Sequence, residues 1–239
     1  MIPSSAGRDL RYKRLCKMNF IIRDAQLSDA EFIARTVLSG VGYAAFDEDA
    51  QAQEIDISVA TVPMSAAVEA FKAICAREDT MYSYARTRIA IVDGVQAGAL
   101  ISYPGEDNAA LRDFTWSLLD PEAASREAAN PTVVEPVETS AGTFSDVEPE
   151  CEAGEYYLDS LAVHPDFRGR LFEYEGTQEK LGHILLLDGI RRGQALGYTR
   201  TSLIVDVDRP RLKHYYSQLG FRPVRDILFF GHHYARMVR

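Results

Sequence analysis

Residues 157–170 have the sequence YLDSLAVHPDFRGR, and residues 181–187 have the sequence LGHILLL. The first stretch predicts a buried strand, a turn at His164-Pro165 and a basic loop, and the second predicts an apolar helix. A strand that delivers such a loop onto a helix N-terminus suits phosphate binding, because unpaired N–H groups and the positive end of the helix dipole face the anion. The alternative is an ordinary strand–loop–helix crossover without a ligand.

The order of these elements resembles the acetyl-CoA-binding core of the GNAT superfamily of N-acetyltransferases. In that family the strand often ends in V-x-P, which matches Val163-His164-Pro165. The loop of the family has the pattern R-G-x-G-x-G or R-G-x-G-x-A, and its beginning matches Arg168-Gly169-Arg170. The resemblance implies a mixed α/β fold, with a twisted central sheet flanked by helices on both faces.

Ten residues, LFEYEGTQEK at 171–180, interrupt the glycine loop. If they are an insertion, Gly182 takes the place of the last loop glycine, and Lys180 or Gln178 stands near the middle one. Gly176 is the alternative, on a different chain path. Glycine is needed in such a loop because a residue without Cβ lets backbone amides approach a pyrophosphate closely.

A second match to the family is YSQLGF at 216–221, since GNAT proteins often carry Y-x-x-x-G-F on the helix after the fifth strand. In many members this tyrosine protonates the leaving thiolate of CoA, which a neutral phenol can do. The resemblance therefore makes Tyr216 the candidate general acid, with Tyr215 expected in the core. The alternative is that Tyr216 is a packing tyrosine with a hydrogen-bonded hydroxyl.

An amine that attacks a thioester needs a proton acceptor. Some GNAT members use a carboxylate on the fourth strand, and Asp159 falls at the matching place. The two-residue period of a strand predicts that Asp159 shares a face with Leu161 and Val163, and that Glu155 lies on that face too. A structural carboxylate paired with an arginine is the alternative for Asp159.

The resemblance also implies a set of cofactor-binding residues. In the family the fourth strand separates from its neighbour and leaves backbone groups free for pantetheine, while loop and helix amides hold the pyrophosphate. The residues at the matching places are Leu161, Ala162, Val163, Arg168, Gly169, Arg170, Gly182 and His183. Arg168 acts through its backbone in this interpretation, and its side chain serves the sheet or the 3′-phosphate. His164 is expected to form a turn, and His183 either to donate to phosphate or to be exposed. His214 is expected on the helix of Tyr216, on a different face.

The remaining pattern agrees with a single domain over residues 18–239, after a basic extension at 1–17. Asp93-Gly94 between two β-rich runs predicts a hairpin over 86–103. The pattern predicts strands at Glu155–Val163, 199–205 and 227–238, and helices after a Ser28–Glu31 capping box, over 63–77, within 111–128, over 177–192 and over 210–219. The buried positions expected in the first three helices are Phe32, Ile33, Val37 and Leu38, then Ala67, Phe71, Ile74 and Cys75, then Trp116, Leu118 and Leu119.

Charge is distributed unevenly along the 239 residues, whose net charge is −9. Thirteen acidic and two basic residues lie between Glu106 and Glu155, in a tract that predicts an exposed insertion around 105–154. Such a tract attracts a cationic amine by electrostatic steering, or it is simply a solvated loop. An acidic total argues against nucleic acid as the main partner, although the basic residues at 8–17 leave an RNA-binding arm as a weaker alternative.

Composition excludes several classes of protein. The longest apolar runs are far shorter than the roughly 20 residues of a membrane span, and the N-terminus lacks the apolar stretch of a secretory signal. Cys16, Cys75 and Cys151 suggest neither a disulfide framework nor a zinc site, which favours a reducing, cytoplasmic compartment. The adjacent His232 and His233 point to opposite faces of a strand and make a poor metal chelate.

These observations predict an N-acetyltransferase that transfers the acetyl group of acetyl-CoA directly to a primary amine. The expected acceptor is small and cationic, with no metal, no nucleic acid and no membrane as a partner. Dimers are common in the family, so a homodimer is compatible with this interpretation. The alternative is a GNAT-fold module that binds CoA without catalysis, as a sensor or a partner protein.

Overall fold

The computed structural model describes residues 20–47, 63–119, 148–229 and 232–239. The predicted extension at 1–17 and most of the predicted acidic insertion lie outside these ranges. In chain order the elements are β1 (Phe20–Asp24), α1 (Ala30–Gly40), α2 (Met64–Cys75), β2 (Thr87–Val92), β3 (Val95–Pro104), α3 (Asn108–Leu119), β4 (Glu155–Val163), β5 (Leu171–Tyr174), β6 (Thr177–Lys180), α4 (Leu181–Ala195), β7 (Arg200–Asp206), α5 (Pro210–Gln218), β8 (Arg222–Phe229) and β9 (His232–Val238).

Seven strands form one mixed sheet in the order β1-β2-β3-β4-β7-β9-β8, and β5 and β6 form a separate hairpin. All neighbours in the large sheet are antiparallel except β4 and β7, which are parallel. The predicted β2–β3 hairpin is confirmed, and Asp93 and Gly94 both have positive φ, at 48° and 85°. This turn chemistry fits the right-handed twist of the paired strands.

Helices cover both faces of the sheet, as predicted, and each face has its own apolar core. The core on one face joins α1 and α2 to the sheet through residues such as Ile33, Phe71 and Ile101. The core on the other face joins α4 to the sheet through residues such as Leu100, Leu185 and Leu203. The buried positions predicted for α1 and α2 are all confirmed.

Helix α4 lies unusually close to the sheet because it carries glycines on its inner face. A Cβ built on Gly193 would stand 2.7 Å from the ring of Tyr156, and a Cβ on Gly189 would stand 2.4 Å from Leu100. Both distances are shorter than real carbon contacts. The two glycines therefore set the approach of α4 to β3 and β4, and with it the position of the N-terminus of α4.

The beginnings of α1 and α4 differ from the prediction. The Ser28 capping box is wrong: Gln26 donates its backbone N–H to the Asp29 carboxylate at 2.7 Å, a short 3₁₀ turn follows, and α1 begins at Ala30. Asp29 is fixed there because Arg23 and Gln96 also donate to it. The helix expected from residue 177 is wrong at its start, since Thr177–Lys180 is the strand β6.

Two further elements differ in detail. Leu118 in α3 is predicted to be buried but is 37% exposed. Leu111 is buried instead, as is Trp116. The single closing strand predicted at 227–238 is two antiparallel strands, β8 and β9, of which β8 lies at the sheet edge. The residues of the predicted 111–128 helix beyond Leu119 lie outside the described ranges.

An ion-pair network joins the two halves of the sheet at one end. Glu155 on β4 is fully buried, and its carboxylate pairs with Arg236 on β9 and with Arg200 on β7, the latter at 2.7 Å. Glu152 adds a second carboxylate to Arg236. Glu155 is thus a structural residue rather than part of an open site.

Within the described ranges, Cys75 and Cys151 are buried free thiols, and burial raises the pKa of both. None of the helices that the structure describes has the length and apolar character required to cross a bilayer.

Candidate active site between two separating strands

The sheet opens between β4 and β7. These parallel strands are paired at three positions only, Glu155–Arg200, Tyr156–Thr201 and Tyr157–Ser202. Beyond them β7 stays paired with β9 as far as Asp206, while β4 keeps only its partner β3. One edge of β4, over residues 158–163, therefore faces a gap instead of a strand, which leaves backbone N–H and C=O groups that need another partner.

A β-bulge at the opening changes which side chains face it. Leu100 of β3 lies opposite Leu161, but Ser102 lies opposite Leu158, so β4 carries one extra residue between these pairs. An extra residue reverses the alternation of side chains beyond it. As a result Asp159 and Ser160 lie on one side, where Ser160 Oγ donates to Asp159 Oδ1 at 2.7 Å.

The face predicted for Asp159 is therefore wrong. A Cβ on Gly182 of α4 would contact the side chains of Leu161 and Val163 at 3.6–3.7 Å, so both point to the α4 side. Ser160 instead contacts Gly40 of α1. Strict alternation placed Asp159 with Leu161 and Val163, and the bulge separates them.

Two clefts meet at the opening. The first, which we name the loop cleft, has a volume of about 570 Å³ and lies among the 167–169 loop, β6, the start of α4 and α5. The second, the central cleft, has a volume of about 310 Å³ and runs between β4 and β7. Both are lined by Leu161, Leu186, Leu212 and Tyr216. A molecule in either cleft therefore reaches the same junction.

Six of the eight predicted cofactor-binding residues line the loop cleft. These are Leu161, Val163, Arg168, Gly169, Gly182 and His183. The other two, Ala162 and Arg170, are not among the residues that line it. Ala162 is buried on the opposite side of β4, and Arg170 has its guanidinium over the ring of Phe167, at 5.2 Å from the centroid, with its N–H donating to the Phe167 carbonyl.

The N-terminus of α4 opens into the loop cleft. Lys180 occupies the position before the helix, and no side chain caps the first turn. The first N–H groups of a helix have no acceptor within it, so this end of α4 presents donors and a positive dipole end to the cleft. Gly182 leaves the approach to these donors open, because it carries no Cβ.

The loop before α4 is held by its own contacts. Gly169 has a φ of +74°, a conformation that glycine adopts without strain. The Arg168 side chain donates from Nε to the Val163 carbonyl at 2.8 Å, so it serves the end of the sheet. His164 forms the expected turn, with Nδ1 accepting from the backbone N–H of Asp166.

The ten-residue interruption is a folded hairpin rather than a length of loop. Leu171 pairs with Lys180, so the first and last residues of the insertion lie side by side. Glu175 and Gly176 form its tip with positive φ, and Phe172 anchors it at 2% exposure. Gly176 lies outside the lining of the loop cleft, which Gln178 and Lys180 join, so the path through Gly176 is wrong.

Tyr216 stands at the junction of the clefts. Its ring packs against Phe221 and Tyr215, with centroids 6.1 and 5.7 Å away. Burial raises the pKa of Tyr216 to about 12, so the phenol is neutral at physiological pH. In the part of the chain that the structure describes, the hydroxyl has no protein hydrogen-bond partner, unlike that of a purely packing tyrosine. Tyr215 packs against the core, as expected, and also lines the loop cleft, with its hydroxyl 3.2 Å from His183 Nδ1.

Two buried carboxyl groups line the central cleft. Tyr103 donates to Asp159 Oδ2 at 2.6 Å, and Tyr157 donates to Glu150 Oε1 at 2.7 Å. Burial raises the pKa of Asp159, and burial together with the Asp159 charge raises the pKa of Glu150 to about 7. No arginine forms an ion pair with Asp159 among the described residues, so the structural alternative for this carboxylate loses its support.

Sequence reasoning missed Glu150. It stands in the acidic tract before β4, where no period separates a buried carboxylate from exposed ones. A weak signal was its position seven residues before Tyr157, on the segment that returns to the sheet. Among the described residues no group of His, Cys, Asp and Glu side chains is arranged to hold a metal ion.

Comparison with solved structures identifies the fold. The chain resembles a protein described as an acetyltransferase, with 23% identity and a TM-score of 0.59 over 92% of this chain and 98% of that one. It also resembles an N-acetyltransferase from Staphylococcus aureus Mu50, with 20% identity and a TM-score of 0.63 over 92% of this chain and 100% of that one. No protein-family model and no curated protein matches the sequence.

The class follows from these likenesses together with the sheet order and the opened strand pair. The chain has the fold of the GNAT acetyltransferases, as the resemblance in sequence predicted.

Proposed function

We propose that this protein is an acetyltransferase that moves the acetyl group of acetyl-CoA to the primary amine of a small, cationic acceptor. The observation that carries the proposal is the meeting of two clefts at Tyr216, where β4 and β7 separate. A direct transfer needs both substrates to reach one point from two sides. The loop cleft is suited to the donor and the central cleft to the acceptor.

The loop cleft fits acetyl-CoA in its chemistry. The uncapped start of α4 supplies N–H donors for the pyrophosphate, beside Gly169 and Gly182. Leu161 and Val163 supply apolar walls for the pantetheine chain, and the free edge of β4 supplies backbone hydrogen bonds. The thioester brings the activated acetyl group, and the protein positions it.

Tyr216 and a carboxyl group perform the proton transfers in this proposal. The neutral phenol of Tyr216 donates a proton to the sulfur as the tetrahedral intermediate collapses. Asp159, the residue expected from its place on β4, lines the central cleft together with Glu150. A carboxylate there accepts a proton that the ammonium group must lose before it attacks.

The lining of the central cleft supports a cationic acceptor. Among the described residues, it contains the carboxyl groups of Glu150, Asp159 and Asp206 and one arginine, Arg209. A partly desolvated site with excess negative charge favours a cation by Coulomb attraction. Its volume of about 310 Å³ suits a small molecule or a side chain.

Thermal unfolding and thiol release test the proposal together. Excess acetyl-CoA should raise the melting temperature, by roughly 2.7 kcal/mol of stabilisation at a hundredfold excess over Kd. Thiol release with a panel of primary amines should then identify an acceptor. Tyr216→Phe should keep the thermal shift and lose turnover by about 10²–10⁴-fold.

Tyr198→Phe is the matched control, because its hydroxyl bonds Glu106 on the surface, outside both clefts. It should retain full turnover. A wild-type protein that binds acetyl-CoA but releases no thiol with any amine would favour the non-catalytic module. The absence of a thermal shift at millimolar acetyl-CoA would show that the loop cleft does not bind the donor.

A further inference from the structure

Among the described residues that line the central cleft, Glu150 is the carboxylate with a buried oxygen that has no hydrogen-bond partner, and the Ser39 hydroxyl is the other such oxygen. Glu150 is 4% exposed and lines the cleft, and its Oε1 accepts from Tyr157. Its other oxygen, Oε2, is buried and has no hydrogen-bond partner of normal geometry within the described residues. The Asn108 side chain lies near enough to lower the pKa of Glu150, but its amide donates to the Tyr103 hydroxyl. A buried polar atom without a partner carries a desolvation cost, and native proteins rarely keep one without a reason.

Asp159 differs from Glu150 in this respect. Its Oδ2 accepts from Tyr103, which Asn108 in turn contacts at 3.3 Å, and its Oδ1 accepts from Ser160. Both oxygens of Asp159 are therefore held by the protein. Of the neighbouring pair Glu150 and Asp159, Glu150 is the one that offers an unoccupied acceptor.

We propose that Glu150 Oε2 binds the ammonium group of the acceptor and takes its proton, while Asp159 is a positioning residue whose negative charge makes its neighbour Glu150 a stronger base. This inference rests on the proposed acetyl transfer and names a different base from the one that the family resemblance indicates. It also specifies the recognised chemistry: an unhindered primary ammonium, delivered through the central cleft.

The charge of the pair matches that of such an acceptor. Two buried carboxyl groups that interact do not both ionise readily, and the pKa of each is raised. Because the Asp159 charge contributes to the raised pKa of Glu150, Glu150 is the second of the pair to lose its proton, near neutral pH, and it then offers a carboxylate to one ammonium group.

The other titratable and charged groups that interact with Glu150 are four phenols, one thiol and one guanidinium: Tyr82 before β2, Tyr103 on β3, Tyr157 on β4, Tyr234 on β9, Cys151 on its own segment and Arg112 on α3. Asp206 on β7 and His232 on β9 line the same cleft. The cation of Arg112 lowers the pKa of Glu150, against the larger effect of burial.

The proton balance is complete with these groups. The ammonium nitrogen gives one proton to the Glu150 carboxylate, and its lone pair forms the N–C bond to the acetyl carbon. As the C–S bond breaks, Tyr216 gives its proton to the sulfur and is restored by the second proton from nitrogen. Glu150 then releases its proton to water. The products are the amide, free CoA and one proton.

Substitution of Glu150 tests the assignment. Glu150→Gln keeps the size of the side chain and its contact with Tyr157, so the acetyl-CoA thermal shift should persist and report an intact fold. With the best amine of the panel, kcat/KM should fall by about 10²–10⁴-fold, and its rise through neutral pH should disappear. The kcat/KM of Asp159→Asn should fall less and should still depend on pH.

Glu148→Gln makes the same chemical change two residues away. Its carboxylate accepts from the backbone of Leu228, outside the central cleft, and its turnover should be unchanged. A Glu150→Gln variant with kcat/KM within threefold of wild type would overturn the inference while leaving acetyl transfer in place. Failure of the wild type to bind acetyl-CoA would instead count against the proposed function.

A second measurement needs no known acceptor. The n-butylammonium ion is titrated into wild type and Glu150→Gln, with sodium chloride at equal ionic strength as the reference. The n-butylammonium ion should raise the melting temperature of the wild type above its value in the salt reference. It should not raise the melting temperature of Glu150→Gln. Equal shifts in both proteins, or no shift in the wild type, would show that Oε2 is not an ammonium site.

Discussion

Glu150 binds a proton more tightly in the folded chain than in the unfolded one. Its pKa is raised from an ordinary value of 4.5 to about 7, by burial and by the charge of Asp159. Below pH 4.5 the carboxyl group is protonated in both states and does not lower the free energy of unfolding. Between 4.5 and 7 the unfolded chain loses the proton first, so the contribution of Glu150 to stability falls as pH rises.

Glu150→Gln removes this cost. We expect the variant to match wild type near the ordinary pKa of a glutamate and to exceed it above neutral pH, by roughly 3 kcal/mol. Denaturant unfolding at a series of pH values measures the difference. Parallel stability curves for the two proteins would show that the carboxyl group is not held in a protonated state by the fold.

The residues of the site differ in how far the sequence predicts them. Tyr216 is marked by its spacing to Gly220 and Phe221, and the structure puts it at the junction of the clefts. Glu150 carries no such mark, because its burial depends on Tyr157 and on elements distant in the chain. The orientation of Asp159 was mispredicted because a bulge depends on the pairing of β4 with β3, which a single strand's pattern does not contain.

At the scale of elements, local signals succeed where a turn or a period is self-contained. Asp93-Gly94 fixes its hairpin, and the spacing in α1 and α2 fixes their buried faces. The hairpin at 171–180 was not predicted, although Glu175-Gly176 is a turn signal of the same kind. Comparison with the family loop identifies these residues only as an interruption, and it contains no information about strand pairing within them.

The closeness of α4 to the sheet makes a prediction at this scale. Gly193→Ala places a methyl group against the ring of Tyr156, which has little room to move in the core. Overpacking costs roughly 1–3 kcal/mol and outweighs the gain in helix propensity, which is about 1 kcal/mol at most. The free energy of unfolding should therefore fall.

Gln194→Ala is the matched control on the next, exposed position of α4. It gains helix propensity without any new contact in the core, so its stability should equal or slightly exceed that of wild type. Chemical denaturation of both variants gives the comparison. If Gly193→Ala were as stable as its control, α4 would not lie against Tyr156 as described.

At the scale of the molecule, the sheet is closed at one end and open at the other. Glu155 ties β4 to Arg200 and Arg236 at the closed end, next to the three paired positions of β4 and β7. Toward Val163 the strands part, and the clefts occupy the space. The same separation that costs backbone hydrogen bonds thus creates the site, and a donor bound along β4 recovers part of that cost.

Hydrogen exchange can detect this arrangement. In the free protein, those amides of residues 158–163 that are not bonded to β3 should exchange faster than amides at 155–157, because they face the gap. Acetyl-CoA along β4 should slow their exchange, by up to about 100-fold at a hundredfold excess over Kd where exchange requires the ligand to leave. Amides of β1 and β2, distant from both clefts, serve as the internal reference and should change least. A thermal shift with acetyl-CoA but no protection at 158–163 would place the donor elsewhere on the molecule, and the opening between β4 and β7 would need another explanation.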